Sequence, residues 1–421
     1  MLETPVHAMA RSKQCVILVG GLGAQLGALT RDEPKPMIDV AGRPFIEYLL
    51  HEVGRHGFRR VVLLAGHQAQ RLIARFPRHC RISPDIELEI TPIVEPEPAG
   101  TAGALLHAAA ALDEEFLLLN GGSLFDINLL DLLCRPAAGR WLAKIALREI
   151  PDAARYATVT LDDARIVRFA EPPGRSGPGT VDGGVYWLKR EILQAIGRSP
   201  CSLETDIFTT LAERGVCFGQ HYSGFFIDTG MPADLARAQH CLRARMTRGA
   251  AFLDRDGVPN IDDGYVHLPK QFKWVGGAKE AIKRLNDRGF FVFVATNQAG
   301  VARGYYSEAH VHALHDWINE QLMECGAHVD AFRYCPFHPE SGIGDYRRVS
   351  DLRKPDPGML QDLITQWPVR VEQSFLIGDR PSDVEAARRA GLAGHLFDGA
   401  DLRVFVEKVS AGLTPWPASS L

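Results

Sequence analysis

Two carboxylates set two residues apart, Asp254 and Asp256 in the run AAFLDRDGVPN, are the strongest candidates for chemistry in this chain. A short apolar run leads into them, and Gly257 relaxes the backbone just after. On an extended segment residues i and i+2 point the same way, so both acids face one spot. Their like charges call for a divalent cation. With its charge cancelled, one carboxylate can attack a phosphoryl group while the other moves the proton. Alone, D-x-D-G also describes a plain Asp-rich turn. A calcium loop does not fit, because Val258 and Tyr265 stand where such a loop needs a ligand and its closing Glu.

Three later segments supply what such an attack requires. FFVFVATNQAG closes an apolar run with Thr296 and Asn297, whose side chains can bond phosphate oxygens. DLRKPDPGM brings Arg353 and Lys354, cations to set against a phosphoryl group. FLIGDRPSDVEAA ends an apolar run at Gly378-Asp379 and places Asp383 at the start of a helical pattern, where it also caps. Each segment has an ordinary reading as cap, turn or solvated charge. Their joint occurrence, each at a strand end, points to a shared site.

The elements that must position these residues alternate along the chain. Strand-like runs at 15–19, 60–66, 116–120, 250–254, 290–297 and 374–379 are interleaved with helical patterns. That alternation predicts α/β architecture with parallel sheets. In open α/β sheets ligands sit beyond the carboxyl ends of strands, where the candidate residues fall. The 421 residues predict two or three domains. A helix-like stretch and basic connector, DLARAQHCLRARMTRGA, places a boundary near residue 246, giving units 1–245 and 246–421. Hydrophobic content of 46% and charged content of 23% suit a globular protein, and a net charge of −4 offers no footprint for nucleic acid. No apolar run spans a bilayer, and the first residues lack the apolar centre of a secretion signal, so a cytoplasmic location without membrane contact is expected. The 8 cysteines form no C-x-x-C pair and are expected to be reduced and mostly buried.

The run DRDG…DGYVH…TNQAGVARG…YCP…RKPDPGM…GDRPSD over about residues 250–400 resembles haloacid dehalogenase (HAD) superfamily phosphatases. It is most similar to the D-glycero-D-manno-heptose 1,7-bisphosphate 7-phosphatases, with histidinol-phosphate phosphatases as near relatives. The resemblance implies that Asp254 is the nucleophile and a magnesium ligand, and that Asp256 is the acid and base and lends its backbone carbonyl to the metal. It implies that Asp379 completes the protein ligands to Mg2+, that Asp383 supports from behind, and that Lys354 neutralises the phosphoryl group. Thr296 and Asn297 would hold the phosphate, and Arg353, Gly264, Tyr265, His267 and Arg303 would contact substrate. The chain departs from this family at Val258, Ala299 and Arg380. Relatives also carry a four-ligand zinc loop. Here Cys335 remains, Phe337 takes the usual His position with His338 after it, and Ser350 and Leu352 replace two cysteines. Two ligands do not make a structural site, so zinc is not expected.

Upstream, CVILVGGLGAQLG joins an apolar run to a loop with Gly20, Gly21 and Gly23, whose amides could cradle nucleotide phosphates. A tight strand–helix turn reads equally well. PKPM (34–37), GRPFIEYLL (42–50), EPAGTAGAL (97–105), NGGSLFD (120–126), DGGVY (182–186), SLETDIF (202–208) and FIDTGMPADL (226–235) extend the pattern. Together they resemble sugar-1-phosphate nucleotidyltransferases of the heptose 1-phosphate guanylyltransferase type, over about residues 14–240. Ala24 and Gln25 stand where that family has Thr and Arg, Gly122 where it has a metal-binding Asp, and Glu171-Pro172 where it has a Lys. Lys35 and Asp228 remain of its charged machinery. The resemblance therefore implies two Rossmann-like three-layer α/β/α domains, and the departures mark the first as a degenerate transferase. The expected reaction is removal of the 7-phosphate from the heptose bisphosphate, with small sugar phosphates as partners. The fused unit points toward the GDP-heptose route and the α anomer. Histidinol phosphate as substrate, and a bifunctional enzyme that also makes a sugar nucleotide, are the alternatives.

Overall fold

The computed structural model describes residues 13–416 apart from 22–25, 28, 29, 32, 136, 138, 155, 171, 173 and 175. The chain divides into two compact units, Met1–Leu242 and Arg243–Leu421.

In the first unit a ten-stranded sheet carries the fold. At its centre Glu115–Asn120, Gln14–Leu18, Arg60–Ala65 and Ile86–Val94 lie side by side and parallel. The first three are runs that read as strands in the sequence, because a strand covered on both faces is apolar throughout, whereas Ile86–Val94 has exposed positions and was not read. The rest of the sheet is mixed. Gly179–Lys189 runs antiparallel to both of its neighbours, Glu115–Asn120 and Ala143–Ile150. The parallel-sheet expectation is therefore corrected for this unit. Its outer strands, such as Arg165–Ala170, are largely exposed or half-buried and give no continuous apolar run. Val16, Leu118, Tyr186 and Phe208 lie in the core beneath them.

The second unit is built on five parallel strands in the order Ala331–Cys335, Phe291–Asn297, Ala250–Leu253, Phe375–Gly378, Ala393–Leu396. Helices link them. Ala278–Asp287 buries Ala278, Ala281, Ile282 and Leu285, one stripe at helical spacing. The chain lays down its first three strands in one direction, then returns to pair Phe375–Gly378 against the first. Strand order reverses there, which opens a crevice at the carboxyl ends of these two neighbours. Asp254 and Asp379 are the next residue after each strand. No helix among the described residues is long and apolar enough to cross a membrane.

Candidate active site

Lys354 is the centre of the second unit's site. Its side chain is 1% exposed, and its ammonium reaches Asp254 Oδ1 at 2.8 Å and Asp383 Oδ1 at 2.7 Å. It also donates to the Ala295 carbonyl at 2.8 Å. An ammonium has three protons, so each is engaged. Burial alone would lower the Lys354 pKa, but Asp254 and Asp383 outweigh it and hold the group above the ordinary lysine range.

Asp254, Asp379 and Asp383 bring one ligand atom each within 4.8 Å of one another. Lys354 and Arg380, whose Nε lies 3.7 Å from Asp379 Oδ2, set two cations against these three acids. Burial, despite Lys354, pushes the Asp254 carboxyl up to about 6, and burial also raises Asp379. Asp379 Oδ1 is buried without a partner. Asp383 is differently placed. Its second oxygen accepts from the Arg380 N–H at 3.0 Å at the head of helix Pro381–Arg389, so both of its oxygens are engaged. An orphaned buried carboxylate oxygen, excess negative charge and an all-oxygen donor set suit a hard divalent cation such as Mg2+. Asp254 and Asp379 would hold it, with the backbone carbonyl of Asp256. Gly257, at φ 90°, keeps the turn against them open, since a Cβ there would lie 2.4 Å from Asp379 Oδ2.

Asp256 is gripped from three sides. Arg255, fully buried, reaches it at 2.9 Å, Asn260 Nδ2 donates at 3.1 Å and Gln298 Nε2 at 3.0 Å. Its side chain is still 18% exposed, so it can meet a ligand. Thr296 is buried beside it, accepting from Gln298 at 2.9 Å. Asn297 is brought to the site but is engaged with the backbone of Lys354. Its Oδ1 accepts from the Lys354 N–H and its Nδ2 donates to the Lys354 carbonyl, both at 3.1 Å. Its visible role is to seat the lysine segment, which differs from the direct phosphate contact that the sequence suggested. Arg255, Asn260 and Gln298 were not singled out from the sequence. Their nearness to the two acids in the DRDGVPN and TNQ runs was the available signal.

The rim carries cations and aromatic rings. Burial first, then the charges of Arg303 and Arg380, hold the Arg353 pKa below its ordinary value. The positive charges of Arg303 and Arg380 thus reach Arg353. Gly264 and Tyr265 both have positive φ, and Tyr265 is exposed with its ring edge-on to Tyr305 at 4.9 Å. His267 stacks on Tyr306 at 4.6 Å. The loop after Cys335 is clasped without a ring of thiolates. Tyr334 and Tyr346 both donate to Glu308, at 2.6 and 2.7 Å, and Arg348 lies 3.7 Å from the centre of the Phe337 ring. Cys335 is buried, its thiol 3.7 Å from the Phe337 carbonyl.

In the first unit Lys35 pairs with Asp228 at 3.1 Å. A Cβ at Gly122 would lie 2.3 Å from the Lys35 ammonium, so the lysine fills the space beside that glycine. Gly20 packs close to Glu95, where a Cβ would lie 2.6 Å from Oε1, while Gly21 faces open space. Gly23, Ala24, Gln25 and Glu171 lie outside the described residues. A cavity of about 210 Å³ adjoins Asp228, lined among others by Arg148, Tyr156, Asp182 and Arg237.

With both geometries described, comparison defines the class. Residues 14–245 match the nucleotidyl transferase family model, and residues 351–399 match the HAD-hydrolase-like model. The chain belongs to the nucleotidyl transferase family over its first unit and to the HAD-family phosphomonoester hydrolases over its second. Among particular relatives, the D-glycero-beta-D-manno-heptose-1,7-bisphosphate 7-phosphatase of Rhodopseudomonas palustris is 50% identical over 162 residues, 38% of this chain and 90% of the relative. The Haemophilus ducreyi protein of the same name is 43% identical over 148 residues, 35% of this chain and 81% of the relative. The crystal structure of HddC from Yersinia pseudotuberculosis aligns at 27% identity with a TM-score of 0.49, covering 55% of this chain and 99% of that one.

Proposed function

We propose that the second unit removes the 7-phosphate of D-glycero-D-manno-heptose 1,7-bisphosphate through an aspartyl-phosphate intermediate, with Mg2+ as cofactor. The observation that carries this reading is the Lys354 ammonium bonded to Asp254 and Asp383 beside the unpartnered oxygen of Asp379. The substrate name comes from the relatives, whose names specify the β anomer.

Asp254 attacks phosphorus, and the bond from phosphorus to the sugar oxygen breaks. Asp256 gives its proton to that oxygen, so the sugar leaves neutral. Asp256, now a carboxylate, takes a proton from water as the water attacks the aspartyl phosphate. The bond from phosphorus to Asp254 breaks, inorganic phosphate departs, and both acids return to their starting states. Lys354 and Thr296 stabilise the transferring oxygens, and Asn297 keeps the lysine segment seated. Asp254, Asp379 and the Asp256 carbonyl would hold the cation, which would supply charge neutralisation for the attack. Arg303 and Arg353 offer a place for the phosphate that is not transferred, which favours a bisphosphate over a monoester.

The first unit, in this reading, keeps a transferase fold without the transfer reaction. Lys35 against Asp228, with glycine at 122, leaves the remaining family carboxylate already paired, a poor seat for the metal of a nucleoside triphosphate.

The test is phosphate release across sugar bisphosphates with Mg2+, including both anomers of the heptose compound, alongside histidinol phosphate. Higher kcat/KM on the heptose bisphosphate is expected. Preference for histidinol phosphate would sink the substrate assignment.

A further inference from the structure

Gln298 is 1% exposed, yet it touches four polar neighbours around the acids. Its Nε2 donates to Asp256 Oδ2 at 3.0 Å and to Thr296 Oγ1 at 2.9 Å. Its Oε1 accepts from Arg255 Nη2 at 3.2 Å and from the Tyr306 hydroxyl at 2.7 Å. Chemistry fixes which end is which. A guanidinium only donates, so the amide oxygen must face Arg255, which leaves the amide nitrogen facing Asp256 Oδ2. Both ends are thus committed, and the amide cannot flip without placing two donors together and two acceptors together.

The anchor of this amide is itself built in. The Tyr306 ring lies so close to Gly300 that a Cβ there would be 2.1 Å from it. On its other side the ring stacks with His267, at an interplanar angle of 11°. Arg255 also donates to the Val266 carbonyl at 2.6 Å. The segment carrying His267, the Tyr306 ring and Asp256 therefore meet at one side chain. Apart from Arg255 Nη1, which has no partner among the described residues, this buried network is hydrogen-bonded and restrains its members.

We infer that Gln298 is a positioning residue, which aims the Asp256 carboxyl at the bridging oxygen and takes its own orientation from Tyr306 and Arg255. The inference rests on the reading of Asp256 as acid and base.

Its test uses the full chain with Mg2+ and three variants, Gln298→Leu, Tyr306→Phe and Asp256→Asn. On the heptose bisphosphate, Gln298→Leu is expected to slow turnover about 10- to 100-fold, part of the ~10²–10⁴-fold that a positioned acid or base supplies. With p-nitrophenyl phosphate the leaving group needs no proton. Gln298→Leu should then release about one nitrophenolate per enzyme at once and turn over slowly afterwards, because only hydrolysis of the aspartyl phosphate is impaired. Tyr306→Phe keeps the ring packing and loses the hydroxyl, so it should repeat the pattern at about 3- to 10-fold. A first burst that shrinks in step with the steady rate in both variants marks damaged folding and overturns the inference. So does wild-type turnover in both. Asp256→Asn separates this from the reading beneath it. Near-native turnover there removes Asp256 from the mechanism, whereas a slow Asp256→Asn beside unaffected Gln298 and Tyr306 variants defeats the positioning role alone.

Discussion

Asp254, Asp379 and Asp383 set three carboxylates against the Lys354 ammonium and the more distant Arg380 guanidinium, and the imbalance has measurable consequences. Burial raises Asp254 from its ordinary 3.8 to about 6, so the folded metal-free protein binds a proton more tightly than the unfolded chain does. Its contribution to stability is fully present below about pH 4 and is lost as pH rises through about 6. A cation between Asp254 and Asp379 would replace that proton. Mg2+ at about 100 times its Kd should therefore stabilise the protein by about 2.7 kcal/mol at pH 7, and by less at pH 5. Thermal unfolding with and without Mg2+ at the two pH values checks this. Asp254→Asn should remain folded, lose phosphatase turnover and lose most of the Mg2+-dependent rise in Tm. Substantial turnover in that variant would refute the nucleophile assignment. At this scale much was legible in the sequence, since strand-end acids and the R-K-P run carry their chemistry in type and spacing. Asn297 shows what was not. Its residue type suits a phosphate ligand, but the structure spends its amide on the Lys354 backbone, 57 residues away. Spacing cannot choose between two such partners.

Elements deliver these residues by where they stop. Ala250–Leu253 and Phe375–Gly378 are neighbours, and each hands its next residue to the same crevice. The turn after the first strand stays clear of Asp379 only because residue 257 lacks a side chain. Gly257→Ala adds a methyl group at φ 90°, which strains the backbone and presses on the Asp379 carboxylate. The Mg2+ concentration for half-maximal activity should rise about tenfold or more, a typical cost of disturbing the support of a metal ligand. An unchanged magnesium titration would show that the turn yields freely. The strands of this unit were readable because most are apolar on both faces. Ala393–Leu396 went unread. It is an edge strand with exposed and half-buried residues, so it carries no apolar signature. The outer antiparallel strands of the first unit escaped notice for the same reason.

At the scale of the molecule, one chain joins a phosphatase unit to a unit whose charged centre is a lysine–aspartate pair. Incubation with GTP and heptose 1-phosphate should release no pyrophosphate above background, because Asp228 is already paired with Lys35. Pyrophosphate release that Asp228→Ala abolishes would restore the bifunctional alternative. The missing carboxylate at Gly122 was plain in the sequence. That Lys35 fills the adjoining space was not, since the two positions are 87 residues apart and meet only through the fold.

The clasp on the loop after Cys335 reaches further. Phenols on a carboxylate and a guanidinium on an aromatic ring do its work. Cys335 at its base is buried, so peroxide has little access to its thiol. Oxidising conditions should therefore leave the clasp in place.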